Sequence, residues 1–218
     1  MGRPHSSVQV HSEDDGRVTD MASRCGAGWL KVIVGPMFAG KTTALIAEWD
    51  RGNMRRWKIG CFKPDTDTRG RGTKVVESHG GLRIACTPLP WRGVVQPYGT
   101  QHLDLVIIDE VQFFENPADI THWIGLWISS CHARVIVAGL LRDWQGKPFE
   151  STLAVMSMAD EVISMCAVCG ICGVDAAWTG RNDDTSEAVK RIQVGGAETY
   201  RALCRTCWTQ CQGAPTRT

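Results

Sequence analysis

The sequence has almost no net charge: 24 Lys and Arg stand against 23 Asp and Glu in 218 residues, a formal +1. A protein that lives on DNA, RNA or an anionic membrane carries a basic excess to neutralise phosphates, so none of these is expected as a partner. Long apolar runs are also missing. Stretches such as Val135 to Leu141 fall far short of the ~20 residues a membrane helix needs. The stretch from Met1 to Gly28 is polar and lacks the apolar core of an export signal. The expected location is therefore cytoplasmic and reducing, where the ten cysteines serve as thiols or metal ligands rather than disulfides. No internal repeat is visible. Nothing in the sequence accounts for its nine tryptophans.

What is present suits a folded protein: 43% hydrophobic and 22% charged residues give enough apolar material for a core and exclude a disordered chain. One shift in composition divides the chain. Before about Met165, β-branched runs alternate with helical stretches; from Cys166 onward the chain is rich in cysteine and poor in strand formers. The expected organisation is a polar tail over 1–28, an α/β unit over 29–165, a metal-binding unit over 166–211 and a short tail over 212–218.

Within 29–165, Leu30–Val34, Lys58–Phe62, Leu103–Ile108 and Arg134–Leu140 read as buried strands. Lys41–Met54 reads as a helix. A second helix starts where Asn116 offers a cap, Pro117 takes the first helical position and Asp119 adds an acid to the first turn; it is expected to run to about Ser130. Strands separated by helices imply a mostly parallel sheet covered on both faces, with ligands at the carboxyl ends of its strands.

Two motifs sit at such ends. Gly35-Pro36-Met37-Phe38-Ala39-Gly40-Lys41-Thr42 follows the first strand and opens the first helix. Its glycines let backbone N–H groups wrap a phosphate, the helix start adds positive potential, Lys41 reaches the β- and γ-phosphates, and Thr42 offers a hydroxyl to Mg²⁺. Asp109-Glu110 closes the third strand. An acid there holds Mg²⁺, and its neighbour can take a proton from water, as in an ATPase, or from a substrate alcohol, as in a kinase. The dyad alone leaves both open. The length leaves no room for the second lobe of a helicase motor.

Two C-x-x-C pairs, Cys169/Cys172 and Cys204/Cys207, can each place two thiolates on one Zn²⁺. The 31 residues between them exceed the spacing of about 15–20 in a zinc ribbon, which implies a long loop pinned at both ends. Cys166 also makes a C-x-x-C with Cys169, so Cys166 competes with Cys172 as the ligand; the glycines at 170 and 173 favour Cys172.

With these residues in view, the chain resembles the type II, zinc-containing thymidine kinases over about Leu30 to Trp208. The resemblance rests on GPMFAGKT, on Asp67-Thr68-Arg69 with Ser78-His79, on Asp109 to Phe114, on Gly139 to Phe149, on Ala177 to Arg181 and on Val194 to Cys207. It implies a P-loop sheet with a C-terminal zinc unit carrying a lasso loop. It also implies transfer of the ATP γ-phosphoryl to the 5′-hydroxyl of thymidine in nucleotide salvage, in a homotetramer inhibited by thymidine triphosphate. Carried over residue by residue, Glu110 is the base, Asp109 serves Mg²⁺, Arg69 and Lys41 stabilise the moving phosphoryl, and Asp67, Thr68 and Gln112 line the same site. The resemblance places Met37, Phe113, Leu140, Trp144, Phe149, Thr179 and Tyr200 at the nucleoside, with Arg191, Ile192, Gln193, Val194 and Gly195 reading the base through their backbone. The chain departs from the family pattern at Leu141, which replaces an acid, and at Trp144, Gly80 and Val111. These changes bear on base selectivity more than on catalysis.

Overall fold

The computed structural model describes residues 28–67, 74–90, 102–182 and 195–213. Six parallel strands form the central sheet: β1 (Trp29–Val34), β2 (Ile59–Pro64), β5 (Thr87–Leu89), β6 (Leu105–Ile108), β7 (Arg134–Gly139) and β8 (Glu161–Ser164), in the order β5-β2-β6-β7-β1-β8. A small antiparallel pair, β3 (Val75–Glu77) and β4 (Arg83–Ala85), lies between β2 and β5 in sequence. The helices are α1 (Lys41–Met54), α2 (Pro117–Cys131) and α3 (Glu150–Ser157).

Alternating strand residues sort onto two faces. Leu30, Val32, Val34, Val106, Ile108, Val135 and Val137 pack with Ile120, Trp123, Ile124 and Trp127 of α2 and Val155 of α3. Ile33, Cys61, Leu105, Ile107, Ile136 and Ala138 pack with Leu45 and Ile46 of α1 and with Val76 and Ile84 of the β3–β4 pair. The sheet is thus covered on both sides, which explains why its strands read as unbroken apolar runs. In register, Ile108 stands beside Val137 and Val137 beside Val32. β1 and β7 therefore end together and β6 two residues earlier, so the segments following all three emerge on one edge.

The helix at Lys41–Met54 and the Asn116-capped helix stand where the sequence places them; the Asn116 side chain accepts from the Ala118 N–H at 3.1 Å. Several elements are additions. β5 contains Pro88, tolerable because this strand lies at the sheet edge and need not donate on its outer side. Helix α3 starts behind Phe149, which supplies no side-chain cap.

Beyond Met165 the elements are short: the pairs β9 (Ala167–Val168) with β10 (Asp175–Ala176) and β11 (Trp178–Arg181) with β12 (Tyr200–Leu203), then α4 (Arg205–Gly213). Their core is small, made of Ala167, Cys169, Ala176, Ala202, Leu203 and Cys207 packed against Ala39 of the loop after β1.

Candidate active site and metal centre

A cavity of about 420 Å³ opens at the carboxyl edge of the sheet, lined among others by Met37, Lys41, Thr42, Asp67, Asp109 and Glu110. The loop after β1 is wound for anions. Phe38 (φ 67°) and Gly40 (φ 80°) are both left-handed, a conformation that turns successive N–H groups to one side. Gly40 caps α1 without a side-chain hydrogen bond, so the first-turn N–H groups have no side-chain cap. Lys41 is buried and donates to the Pro36 carbonyl at 2.6 Å, holding the ammonium on the loop.

Thr42 Oγ1 donates to Asp109 Oδ2 at 3.0 Å, and the other Asp109 oxygen accepts from the Glu110 N–H at 2.9 Å. A hydroxyl and a carboxylate converging beside a phosphate-binding loop are hard oxygen donors, the set that suits Mg²⁺. Glu110 lies in the left-handed region (φ 57°), which costs a non-glycine residue about 1–3 kcal/mol and persists only where surrounding contacts dictate it. Those contacts are visible. Gln112 is buried; its Oε1 accepts from the Leu140 N–H at 2.9 Å, which leaves its amide nitrogen to donate to Glu110 Oε2. Leu140, at the end of β7, thus orients Gln112, and Gln112 orients Glu110.

The lining is apolar at Met37, Phe38 and Leu140, and these continue into a buried cluster with Phe149 and Tyr200, with Trp144 packed against it. Phe113 ends the short 3₁₀ turn after Glu110, its N–H donating to the Glu110 carbonyl at 3.1 Å. Thr179 is buried, and its hydroxyl accepts from the Met37 N–H at 3.1 Å, linking β11 to the phosphate loop. Gly195 leads into the turn before Tyr200, whose N–H donates to the Gly196 carbonyl at 2.9 Å. Thr68, Arg69, Arg191, Ile192, Gln193 and Val194 lie outside the described residues.

Several cavity residues were given no role by the sequence, among them Thr43, the β3 residues Val75 to Glu77, Ser78, and two with side chains of chemical interest, Lys63 and His79. Lys63 is 2% exposed and pairs with buried Asp67 at 3.3 Å. A lysine inside an otherwise apolar strand is the signal that marked it. His79 meets the Phe38 ring edge-on with centroids 5.4 Å apart; its Ser-His motif gave no role by itself.

Behind the phosphate loop, the sulfurs of Cys169, Cys172, Cys204 and Cys207 lie within 4.8 Å of one another. Cys172 is 3.7 Å from Cys204 and 3.6 Å from Cys207. Four sulfurs around one zinc at 2.3 Å would be spaced about 3.8 Å apart, so this cluster can hold such an ion. Cys166 is exposed and outside the cluster. Burial opposes a thiolate at Cys169, but hydrogen bonds from Cys204, Cys172 and Ile171 outweigh it and bring the thiol down to about 6. Cys207 moves upward, chiefly through its hydrogen bond with Cys204.

The fold and site define an α/β protein in which a phosphate-loop motif shares a cavity with a carboxylate pair and four cysteines are grouped as they would be around a metal. Its residues 28–208 match the family described as thymidine kinase. A thymidine kinase of Pyrobaculum aerophilum is 39% identical over 184 residues, which cover 81% of this chain and 96% of that protein. The chain belongs to the thymidine kinase family and is a kinase; the four-cysteine centre agrees with the zinc-containing branch. A solved structure described as a DNA replication initiation factor aligns with a TM-score of 0.38 at 15% identity, over 66% of this chain and 42% of its own length. Among the described residues no helix is long and apolar enough to cross a membrane.

Proposed function

We propose that the chain phosphorylates thymidine, and deoxyuridine as a second substrate, at the 5′-hydroxyl with ATP in pyrimidine deoxynucleotide salvage. The observation that carries this reading is the shared cavity: the phosphate loop and Glu110 line it together, and Met37 and Leu140 of its lining belong to an apolar cluster that continues through Phe149, Tyr200 and Trp144. In the reaction, the 5′-oxygen forms a bond to the γ-phosphorus while the bridging β–γ bond breaks and ADP leaves. Glu110 takes the hydroxyl proton. Backbone N–H groups from Phe38 to Thr42 and the Lys41 ammonium stabilise charge on the phosphates. Mg²⁺, held by Thr42 and Asp109, would neutralise the β- and γ-oxygens. Arg69 belongs beside the moving phosphoryl, and Asp67 with Thr68 and Gln112 around it. Arg191 to Gly195 would read the thymine edge by backbone hydrogen bonds, with Thr179 and Phe113 near the nucleoside. Zinc at Cys169, Cys172, Cys204 and Cys207 is structural.

The family resemblance supports a homotetramer, feedback inhibition by thymidine triphosphate and a cytoplasmic location. The test of the reaction is a panel of the four natural deoxynucleosides with Mg-ATP. Thymidine monophosphate should form fastest, with deoxyuridine next. ATP hydrolysis that ignores thymidine and rises with DNA would refute the reading in favour of a P-loop ATPase with a nucleic-acid-binding zinc module.

A further inference from the structure

The loop that carries Trp144 is held from the metal centre. Trp208, next in sequence to the cluster residue Cys207, donates its indole N–H to the Trp144 carbonyl at 3.0 Å, and Gln212 of α4 donates to the same oxygen at 2.9 Å. Trp208 also stacks on Trp178 with centroids 4.2 Å apart and planes 28° from parallel. The Arg142 guanidinium lies 4.1 Å from the centroid of the Trp178 ring. The loop passes along the edges of these two stacked rings at Gly146, in the left-handed region (φ 86°), where a Cβ would sit 3.0 Å from Trp208 and 3.2 Å from Trp178. The Trp144 ring has no such tie of its own. Its indole nitrogen is buried and finds no hydrogen-bond partner among the described residues. It rests against the apolar cluster, with Arg181 5.5 Å from its centroid.

A side chain without a polar anchor takes its position from its backbone. We propose that Trp208, seconded by Gln212, is a positioning residue for nucleoside selectivity: by fixing the Trp144 carbonyl it sets the placement of the Trp144 ring on the apolar cluster that adjoins the cavity, where the proposed reaction seats the base. The inference rests on the proposed thymidine kinase activity. It gives three of the tryptophans, 144, 178 and 208, a joint role in clamping the loop after β7 to the unit that the four cysteines hold.

Trp208→Phe keeps the aromatic stack and removes the N–H; Gln212→Leu removes the second donor. The test uses the full-length, zinc-loaded double variant, with zinc content and melting temperature measured to confirm that it is folded. Loss of one or two hydrogen bonds should raise the KM for thymidine about five- to fiftyfold. The KM for ATP should stay within about twofold, because the phosphate loop is held separately. Backbone amides of Asp143, Gly146 and Phe149 should exchange about tenfold faster. Trp208→Phe alone should show the smaller part of the effect. A thymidine KM that stays within about twofold of wild type would overturn the inference while leaving the kinase reading intact. A wild-type protein that phosphorylates none of the four deoxynucleosides would overturn the kinase reading, and this assignment with it, before any variant is made.

Discussion

The two halves of the molecule hold themselves together by different means. The sheet between β1 and β8 buries large aliphatic side chains on both faces, among them Leu30, Ile33, Leu105, Ile107, Ile108 and Ile136. In the described region after Met165, only Leu203 ranks with the largest fully buried side chains. The rest of its core cluster is alanine and cysteine, on strands of two to four residues, the turn after β9 and α4, with Trp178 and Tyr200 buried beside it. At about 25 cal/mol per Å² of apolar surface, such a core offers little burial energy. A metal bound by four thiolates supplies about 10 kcal/mol or more, which becomes folding energy when the site forms only in the folded state. The sheet is therefore expected to stand without metal, and the C-terminal unit is not. Since Thr179, Tyr200 and the Trp144 clamp all depend on that unit, the proposed nucleoside side of the cavity depends on metal throughout, whereas the phosphate side meets that unit at Met37 and Ala39 and is otherwise built on the sheet and α1.

Removing the metal breaks the comparison most sharply. Stripping it with a chelator, or replacing Cys204 by Ser, should lower thymidine phosphorylation to about 1% or less. Hydrogen exchange should still show the amides of Ile107 and Val137 protected; simultaneous loss of both halves would contradict the division. Next in size, Ile136→Ala should destabilise the sheet by about 2–5 kcal/mol in denaturant titration, through a lost side chain and the cavity left behind. Leu203→Ala should instead hasten zinc release while leaving the main unfolding midpoint nearly unchanged. Thr179→Val removes the hydroxyl that accepts from the Met37 N–H and should cost about 1 kcal/mol, seen as a wider gap between the two melting transitions in calorimetry. The smallest effect is chemical. Burial raises the thiols of Cys61 and Cys86, the latter to about 11, so both remain protonated and poorly nucleophilic at neutral pH. Iodoacetamide at pH 8 should label exposed Cys166 and Cys211 well before Cys61 or Cys86 in a mass-spectrometric time course.

The same division governs what could be read from the amino acids. Long apolar strands announce themselves, and Asn116-Pro117 announces a helix start; a glycine-bracketed lysine loop and four paired cysteines announce their chemistry. What stayed hidden depends on contacts remote in sequence. Strands such as Val75–Glu77 and Arg83–Ala85 are too short to show a period, and Thr87–Leu89 contains a proline. The left-handed turn of Glu110 follows from Leu140 fixing Gln112, a contact across 28 positions. Lys63 was passed over because a buried lysine makes sense only once Asp67 is seen beside it. The tie between the Thr179 hydroxyl and the Met37 N–H of the phosphate loop spans 142 positions, and no local pattern announces it. The choice between Cys166 and Cys172 needed the sulfur positions themselves.

The proposed reaction centres on a single proton acceptor, Glu110, held by Gln112 in the cavity that the phosphate loop also lines. Its most direct test is the Glu110→Gln variant, assayed for thymidine phosphorylation alongside calorimetric binding of Mg-ATP. Turnover should fall by about 10²–10⁴-fold, with ATP affinity within about threefold of wild type. A variant that keeps near-normal kcat would show that the proton leaves by another route.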